Sequence, residues 1–459
     1  MSLKKVALFS TSFVPYSQTF IYDEITNHKR YEVDVFTKEY TNQETFPFPR
    51  VFSPGNAFNQ FFYLNRAFWP GFDKQFHKQP YDIIHAHFGT GAIYALHYKK
   101  KFKTPLITTF WGNDVSALIG SQKTELSRRR YVKRSNEIFE QSDKILAVSI
   151  EMAEILKDVS GREDIEVWKH GVDLNRFYAK SIYPIKKEQP IKLLLIGRFT
   201  QKKGHIYALR SIKQLVLQGF NVQLSFIGSG ELKELCQAFV KQEQLENNVI
   251  FNGILTPTQV AEKIRETDVV LVPSIVANDH DREGSPTVVK EASACGVPVI
   301  GTYHAGISET IEDGKTGFLI PERHVDALAE RIKRFINKPE LIENMGKAAR
   351  LKMENEFKYT EEANEKAKQD IQDYCLAYFD ESVILADGFE LAFLGCGYSY
   401  AGSYAIYHLG TCIEILEQRD GMSYDEAEEF IEYNVIGAFV GDRMPVFLLP
   451  MKELYEHQS

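Results

Sequence analysis

The stretch KLLLIGRFTQKKG, from Lys192 to Gly204, decides the fold class of this chain. Its apolar first half predicts a strand over Lys192–Phe199. The residues beyond Gly204 predict a helix, because their apolar members recur at three-to-four spacing; these members are Ile206, Leu209, Ile212, Leu215 and Val216. A continuous apolar strand that leads into a helix is typical of a parallel sheet covered by helices on both faces.

Similar strand-then-helix units occur on both sides of this stretch. Upstream, strands are predicted over Val6–Ser10, Asp82–Gly89, Thr104–Gly112 and Lys144–Ser149, and helices over Gln18–Lys29, Ala92–Lys101, Arg128–Gln141 and Glu151–Val159. Downstream, strands are predicted over Val222–Gly228, Val249–Gly253 and Asp268–Ser274, and a helix over Leu232–Gln242. Two such series in tandem predict an α/β protein with two Rossmann-like, doubly wound domains that face a cleft.

Changes in composition and a polar, proline-containing stretch set the predicted domain boundaries. The first domain is expected at 1–175 and the second at 185–356, with a polar, proline-containing hinge near Asp173–Pro190. Residues 380–459 contain 15 acidic and 3 basic side chains, whereas the other 379 residues contain 47 acidic and 51 basic ones. This change predicts a separate, small, acidic α+β module, whose role and origin (a natural module or a fusion) stay open.

The same counts exclude several classes of protein. A nucleic-acid-binding protein needs a clearly basic domain, and none is present. No run approaches the ~20 apolar residues of a membrane-spanning helix, and the start has no basic-then-apolar leader. The five cysteines are scattered without a C-x-x-C pair, which argues against a disulfide framework or a zinc cage. We therefore expect a cytoplasmic protein.

The sharpest chemical signal is the segment EGSPTVVKE, Glu283–Glu291. Ser285 is a good N-cap and Pro286 suits the first helical position, so a helix is expected to start there. The amides of Gly284–Thr287 would then form an anion site. Glu291, further along the same helix, could accept hydrogen bonds from both hydroxyls of a ribose. The alternative is a plain capped helix with solvated glutamates.

A second signal follows the strand at Lys192–Phe199. Arg198 and Lys203 lie on its strand-to-helix loop, where cations suit a diphosphate. Alone this signal is weak, because basic loop residues are usually solvated. The downstream Gly228-Ser-Gly230 lacks the third glycine of a dinucleotide fingerprint, so a dehydrogenase is not indicated.

Two further features concern the first domain. We expect the rings of His85 and His87 to point to opposite faces of the sheet, so that they share no metal ion and His87 faces the cleft. The aromatic-rich stretch Phe46–Phe76 and the basic run beginning at Arg128 could together dock on an anionic bilayer. The alternative for that pair is an aromatic core beside a solvated helix.

In these residues, the body resembles the GT-B glycosyltransferases, specifically the retaining family 4 and its bacterial exopolysaccharide or colanic-acid-type branch. The resemblance covers roughly residues 4–378. It rests on Gly197–Gly204, the block at Glu283–Glu291, the run Gly296–Arg323, HGVD at His170–Asp173 and the opening Pro15–Ile21. Two departures are Gln18 in place of a usual Glu, and Trp111 in place of a common His. From about Asp387 the tail resembles small, uncharacterised phage-type or bacterial proteins.

The resemblance implies roles for individual residues. Arg198 and Lys203 would bind the diphosphate of a nucleotide-sugar, and Glu291 its ribose. Glu283, with the amides of Gly284, Ser285, Pro286 and Thr287, would bind the sugar hydroxyls and phosphate. His87 would reach the donor sugar from the first domain. The acceptor-side residues would be Gln18, Thr19 and Asp114. A helix over 357–378 would cross back to the first domain.

The function that follows is retaining transfer of a sugar from a UDP- or GDP-sugar to a glycan or a lipid-linked, polyprenyl-type acceptor. No metal and no cofactor is expected, because the cations and the helix start would stabilise the leaving diphosphate. The enzyme would be cytoplasmic or peripheral on the inner face of the membrane. Alternatives are a nucleotide-sugar-binding scaffold without turnover, and a sugar phosphorylase or epimerase on the same fold.

Overall fold

The computed structural model describes residues 4–16, 18–27, 31–119, 128–180 and 189–357, together with parts of 393–448. The chain divides into two compact units, Met1–Lys358 and Tyr359–Ser459. The predicted crossing helix over 357–378 lies outside the described residues, apart from Phe357 itself, and so do residues 181–188 of the predicted hinge.

The first half of the larger unit contains a seven-stranded parallel sheet in the order β3-β2-β1-β4-β5-β6-β7. Its strands are β1 (Lys4–Phe13), β2 (Tyr31–Tyr40), β3 (Val51–Phe52), β4 (Ile83–His87), β5 (Leu106–Phe110), β6 (Lys144–Ala147) and β7 (Ile165–Val167). Its helices are α1 (Thr19–Asn27), α2 (Ala57–Arg66), α3 (Pro70–Lys78), α4 (Phe88–Phe102), α5 (Asn113–Ile119), α6 (Arg129–Gln141) and α7 (Ile150–Ser160).

The second half contains a six-stranded parallel sheet in the order β10-β9-β8-β11-β12-β13. Its strands are β8 (Ile191–Ile196), β9 (Val222–Ile227), β10 (Val249–Phe251), β11 (Val269–Val272), β12 (Val299–Thr302) and β13 (Gly317–Ile320). Its helices are α8 (His205–Leu217), α9 (Lys233–Gln242), α10 (Pro257–Arg265), α11 (Thr287–Ala294), α12 (Ala305–Thr310), α13 (Val325–Asn337) and α14 (Glu340–Glu356). The prediction of two doubly wound parallel sheets is confirmed.

Each sheet has its own apolar core. The face of α8 predicted from three-to-four spacing is buried at Leu209, Ile212 and Leu215, which explains why this segment folds as a helix against the sheet. Most of the aromatic stretch Phe46–Phe76 that the structure describes contributes to the core of the first half, as the core alternative anticipated. Phe58 and Phe61, on α2, are exceptions and are 69% and 63% exposed.

The smaller unit contains a three-stranded sheet and a helix among its described residues. Strand β14 (Phe393–Ser399) pairs antiparallel with β15 (Gly402–His408), and β15 pairs parallel with β16 (Val446–Leu448). Helix α15 (Leu409–Asp420) follows β15. Across both units, no described helix combines the length and the apolar character needed to span a bilayer.

Candidate functional site

The strand order of each sheet reverses at one point, between β1 and β4 in the first sheet and between β8 and β11 in the second. Ligands of doubly wound sheets bind outside the carboxyl ends of the strands at such a point. The loops after β8 and β11 carry Gly197–Gly204 and Glu283, and His87 ends β4. The topology therefore puts sequence-predicted residues of both domains where α/β sheets bind ligands.

The loop after β8 is fixed by close backbone contacts. Gly204 has φ +69°, and a Cβ there would lie 1.9 Å from the carbonyl oxygen of Pro273, so the position accepts only glycine. Gly228 packs equally closely on Gly197, and Phe199 N–H donates to Ser229 O at 3.0 Å. The Gly228-Ser-Gly230 turn thus supports the loop that carries the two candidate diphosphate ligands.

Lys203 and Arg198 differ in their environment. Lys203 Nζ lies 2.7 Å from Glu283 Oε1 in a partly buried ion pair. Arg198 is exposed, and among the described residues its guanidinium makes no hydrogen bond or ion pair. One cation is therefore held in place, while the other is available to an anionic ligand.

Glu283 is held by both its side chain and its backbone. Only 6% of the residue is exposed, and Ser274 Oγ donates to Oε1 at 3.3 Å. Burial would raise the pKa of Glu283, but Lys203 and Lys202 outweigh burial and hold it at about 2. Glu283 is therefore ionised at neutral pH.

His304 supports Glu283 from behind, and sequence reasoning missed it. Its Nε2 accepts the backbone N–H of Glu283 at 3.1 Å, so the ring proton sits on Nδ1, which donates to Glu322 Oε1 at 2.7 Å. His304 and Glu322 lie in the run Gly296–Arg323, which resembles the family but indicates no role for either residue. The signal in the sequence that could have indicated His304 is a histidine placed between a strand and the start of a helix.

The start of α11 differs from the prediction. The helix begins at Thr287, and Pro286 rather than Ser285 occupies the N-cap position, with no side-chain cap bond. The reason is the extended backbone of Pro286, with ψ 121°. Since proline has no N–H, the amides of this segment that could bind an anion are those of Gly284, Ser285 and Thr287. The predicted end is confirmed, because Gly296 has φ +69° just beyond the helix.

Glu291 lies in a charged environment that includes Asp23 and Arg176. Burial raises its pKa to about 7, assisted by Asp23 and opposed by Thr287 and Arg176. Arg176 Nη1 donates to both oxygens of Asp23, at 2.8 and 3.0 Å. A carboxyl with this pKa changes its charge near neutral pH.

Lys290 precedes Glu291 and was not singled out from the sequence. It is 1% exposed, and its Nζ lies 3.0 Å from His170 Nδ1 and 3.1 Å from His170 O. Burial lowers the pKa of Lys290 well below its usual range, and burial together with Lys290 lowers that of His170. The contact between Lys290 and His170 links α11 to the HGVD segment.

The expectation that His85 and His87 face opposite ways is wrong. They are two residues apart on β4, and alternation along a strand puts such residues on one face. Their ring centroids are 4.3 Å apart, and each ring has a nitrogen 3.7 Å from a carboxylate oxygen of Glu24. The ligand atoms of these three residues lie within 4.8 Å of one another, a spacing that could hold a metal ion.

The hydrogen bonding of His87 argues against that use. Trp111 Nε1 donates to His87 Nδ1 at 3.3 Å, which leaves the ring proton on Nε2, facing Glu24. A metal ligand must be unprotonated at the binding nitrogen. The expectation that His87 faces the cleft is also not met, because its ring is fully buried and stacks on Trp111 with ring centroids 5.9 Å apart.

The acceptor-side candidates lie at the carboxyl ends of β1 and β5. Asp114 is buried and accepts four backbone N–H groups, from Gly89, Trp111, Gly112 and its own neighbour Val115. Its carboxylate therefore shapes the Trp111–Gly112 turn. Gln18 donates its backbone N–H to Pro15 O at 2.8 Å, and Thr19 begins α1.

The comparisons with known proteins agree with this geometry. Residues 180–352 match the family described as "Glycosyl transferases group 1", and residues 27–176 match "Glycosyltransferase Family 4". The putative colanic acid biosynthesis glycosyltransferase WcaL of Salmonella typhimurium strain LT2 is 32% identical over 263 residues, which is 56% of this chain and 63% of that protein. The amylovoran biosynthesis glycosyltransferase AmsK of Erwinia amylovora is 30% identical over 61% of this chain and 68% of its own.

Solved structures agree on the fold. Anabaena HepE, solved in complex with UDP-glucose, superimposes with a TM-score of 0.63 over 80% of this chain and 98% of its own, at 19% identity. The matched part of the chain spans about two thirds of the length of its curated relatives. The chain therefore belongs to the group 1 and family 4 glycosyltransferases, and its two parallel-sheet domains have the GT-B fold.

Proposed function

We propose that this protein is a retaining, metal-independent glycosyltransferase that moves a sugar from a UDP- or GDP-sugar to a glycan or lipid-linked polysaccharide acceptor. One observation carries the proposal. The Lys203–Glu283 ion pair and the exposed Arg198 lie together at the switch point of the second sheet, beside the first amides of α11. This arrangement provides two cations and N–H donors for a diphosphate without a metal ion.

The bound donor would be held along this edge of the sheet. Arg198 and Lys203 would bind the diphosphate, and Glu291 the two ribose hydroxyls. The amides of Ser285 and Thr287 would face the phosphate of the leaving group. Glu283 would orient the donor sugar by accepting bonds from its hydroxyls, while it keeps Lys203 directed at the diphosphate.

The proposed mechanism depends on where negative charge develops during sugar transfer. As the glycosidic bond breaks, the leaving diphosphate gains negative charge, which the two cations and the amides stabilise. The acceptor hydroxyl would attack from the face that the diphosphate leaves, which retains the anomeric configuration. A phosphate oxygen would take the acceptor proton, so no protein base is required. His87 would contact the donor sugar only after the Trp111 indole turns away, since that indole covers it.

Relatives suggest the first substrates to test. WcaL and AmsK are described as acting in colanic acid and amylovoran biosynthesis, and HepE was solved with UDP-glucose. A UDP-sugar donor and an exopolysaccharide intermediate are therefore the first pair for this chain. An enzyme that acts on such an intermediate would work at the inner face of the cytoplasmic membrane.

A thermal-shift screen against UDP, GDP, ADP and their sugar conjugates tests the donor site. At about 100-fold excess over Kd, the matching nucleotide should raise Tm by ~3–5 °C, with or without EDTA. Arg198→Ala should abolish the shift, whereas Arg210→Ala, an exposed arginine on α8, should leave it unchanged. A shift that EDTA removes would contradict metal independence. No shift with any nucleotide would contradict the proposed donor site and the nucleotide-sugar-binding scaffold alternative alike.

The lipid-linked part of the proposal has its own support. Phe58 and Phe61 project from α2 into solvent, and α2 is joined to α4 by stacking of Tyr63 on Tyr94 at 4.6 Å. Helix α4 also packs against α6, which carries the exposed Arg129. Exposed aromatics near a basic helix suit an anionic membrane surface.

Co-sedimentation with vesicles tests this surface. The protein should bind vesicles that contain anionic lipid at low salt and should not bind neutral ones. The double substitution Phe58→Ser/Phe61→Ser should weaken binding by about tenfold or more, because two aromatic side chains no longer insert. Absence of binding to anionic vesicles at low salt would contradict a membrane-bound acceptor.

A further inference from the structure

Three of the four residues Asp281–Gly284, which lead into α11, contact the first domain. Asn113 Nδ2 donates to Asp281 Oδ1 at 3.2 Å. Arg282 Nη1 donates to Glu151 Oε1 at 2.7 Å. A Cβ on Gly284 would lie 2.2 Å from the carbonyl oxygen of Trp111. The residue between these contacts is Glu283, so its position depends on the first domain.

Glu151 holds the Glu283 loop in a second way. Its other oxygen, Oε2, accepts the backbone N–H of Ala305 at 2.9 Å. Ala305 directly follows His304, whose ring accepts the N–H of Glu283. Glu151 thus accepts hydrogen bonds from Arg282, the residue before Glu283, and from Ala305, the residue after His304. Both bonds connect the first domain to the second.

The contact between the two helices is reciprocal. Glu151, in the first turn of α7, accepts from the first residue of α12, while Glu309 of α12 accepts the N–H of Ile150 at 2.9 Å. Each helix therefore satisfies a free amide at the start of the other. Ala305 has φ +42°, an unfavourable value for a residue with a Cβ, which the bond from Glu151 helps to hold.

These contacts exceed an ordinary surface ion pair. The Arg282 side chain is 17% exposed and that of Glu151 36%, and Glu151 uses both oxygens. Most exposed ion pairs contribute little because water competes for each charge. Here an opening of the two domains would break the Arg282 and Ala305 bonds together and leave the Glu283 loop without its outer support.

We propose that Glu151 is a positioning residue that couples domain closure to the placement of Glu283. The inference rests on the proposed function, in which Glu283 orients the donor sugar. A donor bound to the open second domain would meet a loosely held Glu283. Closure would bring Glu151 onto Arg282 and Ala305 and complete the site, which would favour transfer after the acceptor side has closed over the donor.

The test compares Glu151→Ala and Glu151→Gln with Glu154→Gln. Glu154 lies on the same helix, pairs only with Lys157 within the part of the chain that the structure describes, and serves as the matched control. For Glu151→Ala we expect kcat to fall by about 10²-fold, because small displacements of a positioned group have effects of that size. Donor Kd should change by less than about twofold, because the proposed diphosphate and ribose ligands Arg198, Lys203 and Glu291 lie on the second domain. For Glu151→Gln we expect a kcat between those of the parent and Glu151→Ala, since the amide oxygen of glutamine can still accept the backbone N–H of Ala305.

Small-angle scattering supplies a readout that does not need turnover. The parent and Glu154→Gln should become more compact with a saturating UDP-sugar, and Glu151→Ala should not. Equal compaction in all three variants would overturn the coupling, and so would a raised KM with unchanged kcat. If the parent compacts but transfers no sugar to any acceptor, the proposed function fails, and the scattering comparison still decides the role of Glu151.

Discussion

Replacement of Lys203 by alanine is expected to lower kcat by ~10²–10³-fold and to reduce the free energy of unfolding by about 3–5 kcal/mol. Turnover falls because the leaving diphosphate loses one of its two cations. Stability falls because Glu283, only 6% exposed, would keep a buried charge without the ammonium 2.7 Å away. Steady-state kinetics and denaturant unfolding measure the two effects on the same preparation.

The double variant Lys203→Ala/Glu283→Gln separates these effects. With the buried charge gone, unfolding free energy should return most of the way to that of the parent, whereas kcat should stay low. The ion pair also predicts a pH dependence. Because the pKa of Glu283 is lowered to about 2, its contribution to stability is present above its ordinary range near pH ~4.5 and is lost as the pH falls toward 2. Lys203→Ala with parental stability would contradict this account.

The fold was predictable where strands are uninterrupted runs of apolar residues, as in β8 and β11. Strand β2 was not predicted, since its residues Glu32 and Asp34 break the apolar pattern. Asp34 is 2% exposed, and Nε of Arg50, just before β3, lies 3.2 Å from its Oδ1 in an ion pair. A buried carboxylate in a strand depends on a partner distant in sequence, which local periodicity does not report.

The candidate site likewise contains residues that could be predicted from the sequence and residues that could not. Arg198, Lys203 and Glu283 could be found because loops at a switch point follow recognisable strands. His304 and Glu151 could not, because their importance comes from bonds to residues far away in the chain. The two-residue spacing of His85 and His87 did contain the correct information, since residues that far apart on a strand share a face.

Donor affinity is expected to depend on pH through Glu291. Burial raises the pKa of this carboxyl to about 7 in the free protein, and accepting both ribose hydroxyls requires its ionised form. Protonation therefore competes with binding, so Kd for a UDP-sugar should increase about tenfold from pH ~8 to pH ~6. Calorimetric titration across this range measures the slope. A nucleotide-sugar must be used, because the terminal phosphate of free UDP itself titrates near pH ~6.

Glu291→Gln is the matched control, because it keeps the size of the side chain and cannot titrate. Its Kd for the UDP-sugar should be larger than that of the parent at pH ~8 and nearly constant with pH. The plots of Kd against pH for the parent and the variant should therefore converge toward pH ~6. Any slope that survives the substitution belongs to groups other than Glu291. Identical slopes in the parent and Glu291→Gln would show that the ribose is bound without the carboxylate, and would remove Glu291 from the donor site. A parent affinity that strengthens as the pH falls would have the opposite meaning, since a protonated Glu291 would then be the form that donates to the ligand.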